Sequence, residues 1–227
     1  LRENIHMPKK QFNRRELLCR SGALAVAASL PVPAAVPSTG KTGEVYRSIG
    51  VRPIINARGT FTIITGSQTL PEVKRAMDEA SRSYVQMDEL MEGVSKKLAE
   101  LTGAPWGIVT AGCCAALTHC TTASIAGSNP ERMQQLPDLT GLKNEVIIPE
   151  YSRNVYDHAV RMVGVKIIEV KTPAELEQAF NERTAMVYIL AGPGDEGPLG
   201  TKVIAEAAKP HNVPVIVDAA AEILTIP

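Results

Sequence analysis

From residue 145 onward the chain alternates short apolar runs with amphipathic stretches. The runs 145–148 (EVII), 165–170 (VKIIEV), 185–190 (AMVYIL) and 214–217 (PVIV) are strand-length and rich in Val and Ile. Between them, residues 154–163 and 201–209 have helical spacing, and Thr172 caps a helix that begins at Pro173 with Glu175 early in it. Strands alternating with helices predict a mainly parallel sheet covered on both faces, an α/β three-layer αβα fold. Two helices are expected upstream. Pro71 suits a first helical turn, followed by Val73, Met77 and Ala80 at helical spacing. In residues 87–101, Leu90, Val94, Leu98 and Leu101 form one face and Glu89, Glu92, Lys96 and Lys97 the other, with Gly103 as the stop.

The stretch 106–117, WGIVTAGCCAAL, carries the first candidate chemistry. Ile108 and Val109 read as the end of a buried strand, residues 110–112 as a turn, and Cys113 to about Ala126 as a helix. Such a turn leaves backbone N–H groups and the positive end of the helix dipole facing one point, an anion site. Gly112 permits close backbone approach, and Thr110, Cys113 and Cys114 can add weak donors. A plain strand-to-helix turn is the alternative. The second stretch, 213–222 (VPVIVDAAAE), is an apolar strand ending in Asp218. The carboxyl ends of parallel strands are where such sheets bind ligands. A phosphate-binding helix start together with a strand-end carboxylate is what pyridoxal phosphate (PLP) requires, one group for the phosphate and one for the protonated ring nitrogen. Asp218 is equally suited to capping the Ala-rich segment that follows it. Residues 191–198, AGPGDEGP, form a long turn at another strand's carboxyl end, where ligand loops belong.

Composition narrows the options. Hydrophobic residues make up 44% of 227 and charged residues 21%, ordinary values for a globular chain. Lys plus Arg and Asp plus Glu are 24 each, so there is no basic block to support nucleic-acid binding. Two of the four cysteines, Cys113 and Cys114, are adjacent and Cys19 lies near the N-terminus, so they do not form a disulfide framework. No run is long enough for a clear transmembrane helix. The N-terminus has the layout of a twin-arginine export signal: Arg14 and Arg15, a short apolar core over 22–30, and small residues at 33–35. An amphipathic first helix with a chance arginine pair is the alternative. The expected organisation is a signal over 1–35, a linker and N-terminal segment over 36–50, and part of a catalytic major domain over 51–227. The expected destination is the periplasm or the cell exterior, with no stable membrane association after export.

Five motifs in order carry a family resemblance: 55–60 (INARGT), 101–104 (LTGA), 110–116 (TAGCCAA), 156–164 (YDHAVRMVG) and 215–222 (VIVDAAAE). Together they resemble the selenocysteine synthase-like PLP-dependent enzymes of the type I aminotransferase fold, from about Tyr46 to the end. The resemblance implies that Gly112, Cys113 and Cys114 hold the cofactor phosphate and that Asp218 pairs with the pyridine nitrogen. It implies that Asn56, Gly59 and Thr60 lie near the mouth of the active site, with Asn56 and Thr60 addressing substrate. Tyr151 or His158 would pack on the ring face, unless each is an ordinary packing or surface residue. Arg153 would bind a substrate carboxylate or phosphate in bidentate fashion, or form a surface salt bridge.

Two departures qualify the resemblance. A signal and linker stand where selenocysteine synthases carry a tRNA-binding domain, so a tRNA substrate is not expected. The shorter relatives resemble enzymes that eliminate or exchange a group on small amino acids or amino-sugar acids such as phosphorylated glucosaminate. The family's Schiff-base lysine lies on a later strand, whereas only nine residues follow Asp218 and none is Lys. The chain is therefore expected to stop short of that lysine, leaving no catalytic residue to name within it. The expected activity is PLP-dependent elimination or β-replacement on a small amino substrate, by a homodimer or higher oligomer. A non-catalytic remnant and an anion-binding α/β protein are the rival readings.

Overall fold

Four strands organise the described part of the chain: β1 (Glu145–Pro149), β2 (Lys166–Val170), β3 (Thr184–Leu190) and β4 (Val215–Asp218). All three pairings are parallel, in the spatial order β2-β1-β3-β4. In this computed structural model, residues 43–60, 62–192 and 197–220 are described, and the chain divides into compact units at Leu1–Ala80 and Ser81–Pro227. The expected export signal lies outside the described residues, as do 36–42 of the linker and N-terminal segment and 193–196 of the long turn.

The sequence pattern explains the strand positions. β1 and β3 are interior strands, and every residue of β1 and all but the last of β3 are buried, which is why they read as unbroken apolar runs. The edge strands β2 and β4 keep exposed positions. Side chains alternate between faces, so the sheet feeds two cores. One face gathers Val146, Ile148, Met186 and Tyr188 with Leu117 and Ile125 of helix α4 (Cys113–Ala126) and Val160 of α6 (His158–Arg161). The other gathers Ile147, Val187 and Ile189 with Leu176 of α7 (Pro173–Ala179) and Ile204 of α8 (Thr201–Ala208). Burying each such side chain contributes about 1.5–3 kcal/mol. The layers are those expected, and Thr172 caps α7 by accepting from Glu175 N at 3.2 Å.

Upstream, α1 (Glu44–Arg47) and α2 (Pro71–Ala80) lie in the first unit, α3 (Met87–Thr102) in the second, and α5 (Pro130–Gln135) follows α4. Gly103, at φ 69°, ends α3 as the stop signal predicts. One expectation is corrected. Residues 106–110 are not a strand, and Ile108 and Val109 are 45% and 69% exposed rather than buried. A strand needs a neighbour for its ladder, and among the described residues this segment has none. It lies against α3 instead, with Gly107 N donating to Ser95 Oγ at 3.5 Å. A Cβ on Gly107 would come within 2.6 Å of Leu98 Cβ, so only glycine permits that approach.

A buried charge holds the start of α6. Asp157 is 1% exposed and accepts from Arg153 Nε at 2.6 Å and Arg161 Nε at 2.8 Å. Burial pushes its pKa up, but the hydrogen bonds and charges of the two guanidinium groups win and hold the carboxyl below its ordinary value. A depressed folded pKa adds stability above the unfolded value and loses it as pH falls through the folded one. Asp157→Asn is expected to lower stability at pH 7 by about 1–3 kcal/mol, less than for a fully buried pair because both arginines reach water. The gap to wild type should narrow below about pH 4. Urea unfolding at pH 7 and pH 3 checks this, and an equal gap at both contradicts it.

Candidate active site

The candidate site lies where β4 ends and α4 begins. Helix α4 is set by burial of Leu117, Thr121 and Ile125, one turn apart, and by Thr118 Oγ1, which donates to Ala159 O at 3.1 Å. The body of the helix is therefore held against the sheet and α6. Gly112 precedes it at φ 113°, a conformation that favours glycine, and Thr110 Oγ1 closes the turn by donating to Gly112 O at 2.9 Å. No side chain caps this helix start. The first-turn N–H groups of Cys113 and Cys114 are thus left to a solvent molecule or an anion. A Cβ built on Gly112 meets nothing within 4 Å, so the space over the turn is open.

Asp218 faces this turn. Leu190 of β3 pairs with Asp218 and Tyr188 with Ile216, so Tyr188 is the diagonal neighbour of Asp218 on one sheet face. Asp218 is 7% exposed. Its Oδ2 accepts from Tyr188 Oη at 3.1 Å, and its Oδ1 accepts from Ala220 N at 3.1 Å and from Cys113 Sγ at 3.6 Å. Every one of these donors is neutral, and among the described residues no cation pairs with this carboxylate. The Ala220 bond is the cap-like contact expected of Asp218, and Oδ2 is engaged elsewhere. A buried anion without a cation fits a site that receives a protonated ring nitrogen.

The neighbouring titratable groups stay protonated. A helix N-terminus by itself lowers a thiol pKa. At Cys113 loss of water, followed by the Asp218 charge and hydrogen bond, outweighs this and pushes the thiol up to about 11. Burial likewise pushes the Tyr188 phenol above its ordinary value; Asn154 pulls it back, and the Asp218 charge adds to the rise.

The other sequence candidates are distributed as follows. Cys114 is exposed in the first turn of α4. Tyr151 follows β1 at the same carboxyl edge, where its hydroxyl donates to Leu199 O at 2.9 Å. His158 is exposed as the first residue of α6. Arg153 is held by Asp157 and, through Nη1, by Glu169 at 2.8 Å, the salt-bridge arrangement weighed from sequence. Asn56 and Thr60 belong to the first unit. Asn56 Oδ1 accepts from Arg58 N at 2.9 Å and Gly59 N at 3.1 Å, and its Nδ2 donates to Gly59 O at 2.6 Å, so it shapes its own loop. Sequence reasoning missed Tyr188 and Asn154. Tyr188 carried a faint signal, a polar-tipped residue inside an apolar strand, two positions before its end, and Asn154 carried none beyond its place in the turn after β1.

A parallel sheet between two helical layers is the α/β fold seen in PLP-dependent enzymes of the aminotransferase-like kind. A solved D-glucosaminate-6-phosphate ammonia-lyase matches it with a TM-score of 0.75 and 30% identity, over 80% of this chain and 52% of that one. In sequence, the D-glucosaminate-6-phosphate ammonia lyase of Salmonella typhimurium (strain 14028s / SGSC 2262) is 32% identical over 193 residues, 80% of this chain and 52% of the relative. A 5'-C-glycyluridine monooxygenase-decarboxylase from Streptomyces sp is 30% identical over 203 residues, 84% of this chain and 51% of the relative. The chain thus spans about half the length of the curated relatives it matches. No protein-family model matches it.

The contact between Cys113 and Asp218 can be tested directly. Asp218→Asn removes the charge that helps keep the thiol protonated, so alkylation of Cys113 by iodoacetamide at pH 8 should speed up by about threefold or more. Peptide mapping by mass spectrometry reads Cys113 separately from Cys114. An unchanged Cys113 rate contradicts the contact.

Proposed function

We propose that this chain forms the cofactor-holding part of a PLP-dependent enzyme that carries out elimination or β-replacement on a small amino acid or amino-sugar acid. The observation that carries the reading is the buried Asp218 carboxylate, without a cationic partner among the described residues, beside the uncapped start of α4. The residues present fit the cofactor. The N–H groups at Cys113 and Cys114 bind its phosphate beside Gly112, and Asp218 holds the proton on its ring nitrogen. When bound, PLP supplies an electron sink for negative charge developing at the substrate Cα. Tyr151 stands at the same edge of the sheet as the candidate that packs on the ring. Asn56 and Thr60 are proposed substrate contacts, as is Arg153 if it exchanges its present carboxylate partners for the substrate's.

The relatives support the substrate class rather than one reaction. Both are named for substrates that join an amino acid function to a sugar, yet one is called a lyase and the other a monooxygenase-decarboxylase. Elimination is favoured by the relative with the higher identity, the ammonia lyase at 32% against 30%. The selenocysteine synthase-like motifs support the reading at the level of the cofactor site. A homo-oligomer and export by the twin-arginine route complete the proposal, the latter supported by the order of Arg14, Arg15, apolar core and small residues.

Two outcomes are expected. Gly112→Val places a branched side chain at φ 113° and crowds the phosphate, so affinity for PLP by calorimetry should fall about tenfold or more, with Cys113→Ser changing it far less. Equal affinity in wild type and Gly112→Val overturns the phosphate assignment. For export, changing both Arg14 and Arg15 to Lys should keep the protein in the cytoplasm of a bacterial host, as read by cell fractionation. Undiminished periplasmic delivery removes that part of the proposal.

A further inference from the structure

Beyond Asp218 itself, the site contains a hydrogen-bond line whose direction is fixed by the protein. It begins at Asn154, in the turn after β1. Asn154 Oδ1 accepts from Tyr156 N at 2.8 Å and its Nδ2 donates to Ser152 O at 2.8 Å. These two backbone contacts fix which end of the amide is the donor. The second Nδ2 hydrogen then goes to Tyr188 Oη, at 3.1 Å. A phenol has one hydrogen to give. With its oxygen accepting from Asn154, that hydrogen goes to Asp218 Oδ2 at 3.1 Å. Tyr188 is fully buried in an interior strand, so no water competes for its hydroxyl and its ring cannot swing away. Ser152, also fully buried, secures the start of the line by accepting from Leu190 N at 3.0 Å.

We propose that Tyr188 and Asn154 are positioning residues that lock the Asp218 carboxylate by its Oδ2, so that Oδ1 faces the start of α4. This rests on the assignment of Asp218 to the cofactor's ring nitrogen. The hydrogen bonds of the line reach the site through Asp218: among the described residues Tyr188 and Asn154 have no hydrogen bond to residues 110–114. It orients the acceptor before any ligand arrives, which removes the ordering step a free carboxylate would undergo on binding. If Tyr188 were only a buried hydroxyl finding a partner, its removal would alter stability and leave the Asp218 orientation alone.

The test uses the purified 227-residue chain, with Tyr188→Phe and Asn154→Asp as variants. The second keeps the Oδ1 cap on Tyr156 N but replaces the donor to Tyr188 by an acceptor, which draws the phenol hydrogen away from Asp218. The first readout needs no ligand. With Oδ2 released, the carboxylate turns away from Cys113, and alkylation of Cys113 at pH 8 is expected to rise about threefold or more in both variants, with far-UV circular dichroism unchanged. The second readout compares two probes by calorimetry, pyridoxine 5'-phosphate and inorganic phosphate. Tyr188→Phe is expected to weaken the first about fivefold and leave the second within a factor of about 1.5. If wild type binds neither probe, the cofactor assignment fails, and the Cys113 rate still decides whether the line positions Asp218. If Cys113 reactivity is unchanged in both folded variants, or if both probes weaken equally, the positioning role is overturned. Should Tyr188→Phe not fold, the Cys113 rate in Asn154→Asp alone decides: a rise supports the positioning role and no change overturns it.

Discussion

The site depends on a carboxylate taken out of water at the end of a parallel strand. Asp218 is 7% exposed, and its contacts are a phenol, a thiol and a backbone N–H. Burying an anion is unfavourable unless hydrogen bonds compensate and a positive charge faces it. The three donors supply the compensation. The positive end of the α4 dipole lies close by, and its first-turn N–H groups are not claimed by any side-chain cap. The sheet register makes this possible: pairing Leu190 with Asp218 sets Tyr188 diagonally behind the carboxylate, and a slip of one residue would turn Asp218 to the opposite core. The apolar contacts of β3 and β4 therefore serve the polar site, because they hold the register on which it depends.

The two faces of the sheet have different duties. The face that packs α7 and α8 is an apolar core with no candidate site residue in it. The face that packs α4 and α6 also holds Tyr188, and through Leu117 and Ile125 it fixes the helix whose N-terminus is the proposed anion site. Asp157, tied to Arg153 and Arg161, anchors the start of α6 on this same side. Arg153 thus has a structural task in the described state, and a substrate role would require it to exchange partners.

Much of this was legible in the sequence. Period and composition locate all four strands, because β1 and β3 are buried on both faces and show it as unbroken apolar runs. Caps and stops locate α4, α7 and the end of α3, since Gly112, Thr172 and Gly103 act through local geometry. Residues 106–110 were misread because strand propensity is fulfilled only with a partner, and pairing is a property of the whole sheet. The Tyr188–Asn154 line was invisible for a similar reason: 34 residues separate the two, and only the parallel register and the turn after β1 bring them together. Gly112, Cys113 and Asp218 could be picked out because each sits at the end of an element, where the chemistry is local.

The central claim is that the start of α4 and Asp218 together hold the two ends of one cofactor. Backbone amide spectra of the ¹⁵N-labelled chain, recorded while PLP is added, test it most directly. The account predicts saturable shifts at the N–H groups of Cys113 and Cys114, with a parallel change at the Asp218 side-chain carboxyl carbon in a ¹³C-labelled sample. Inorganic phosphate should move the two amides and leave the carboxyl carbon in place. Shifts confined to residues elsewhere in the chain, or amide shifts at Cys113 and Cys114 with PLP but no response at Asp218, would contradict it.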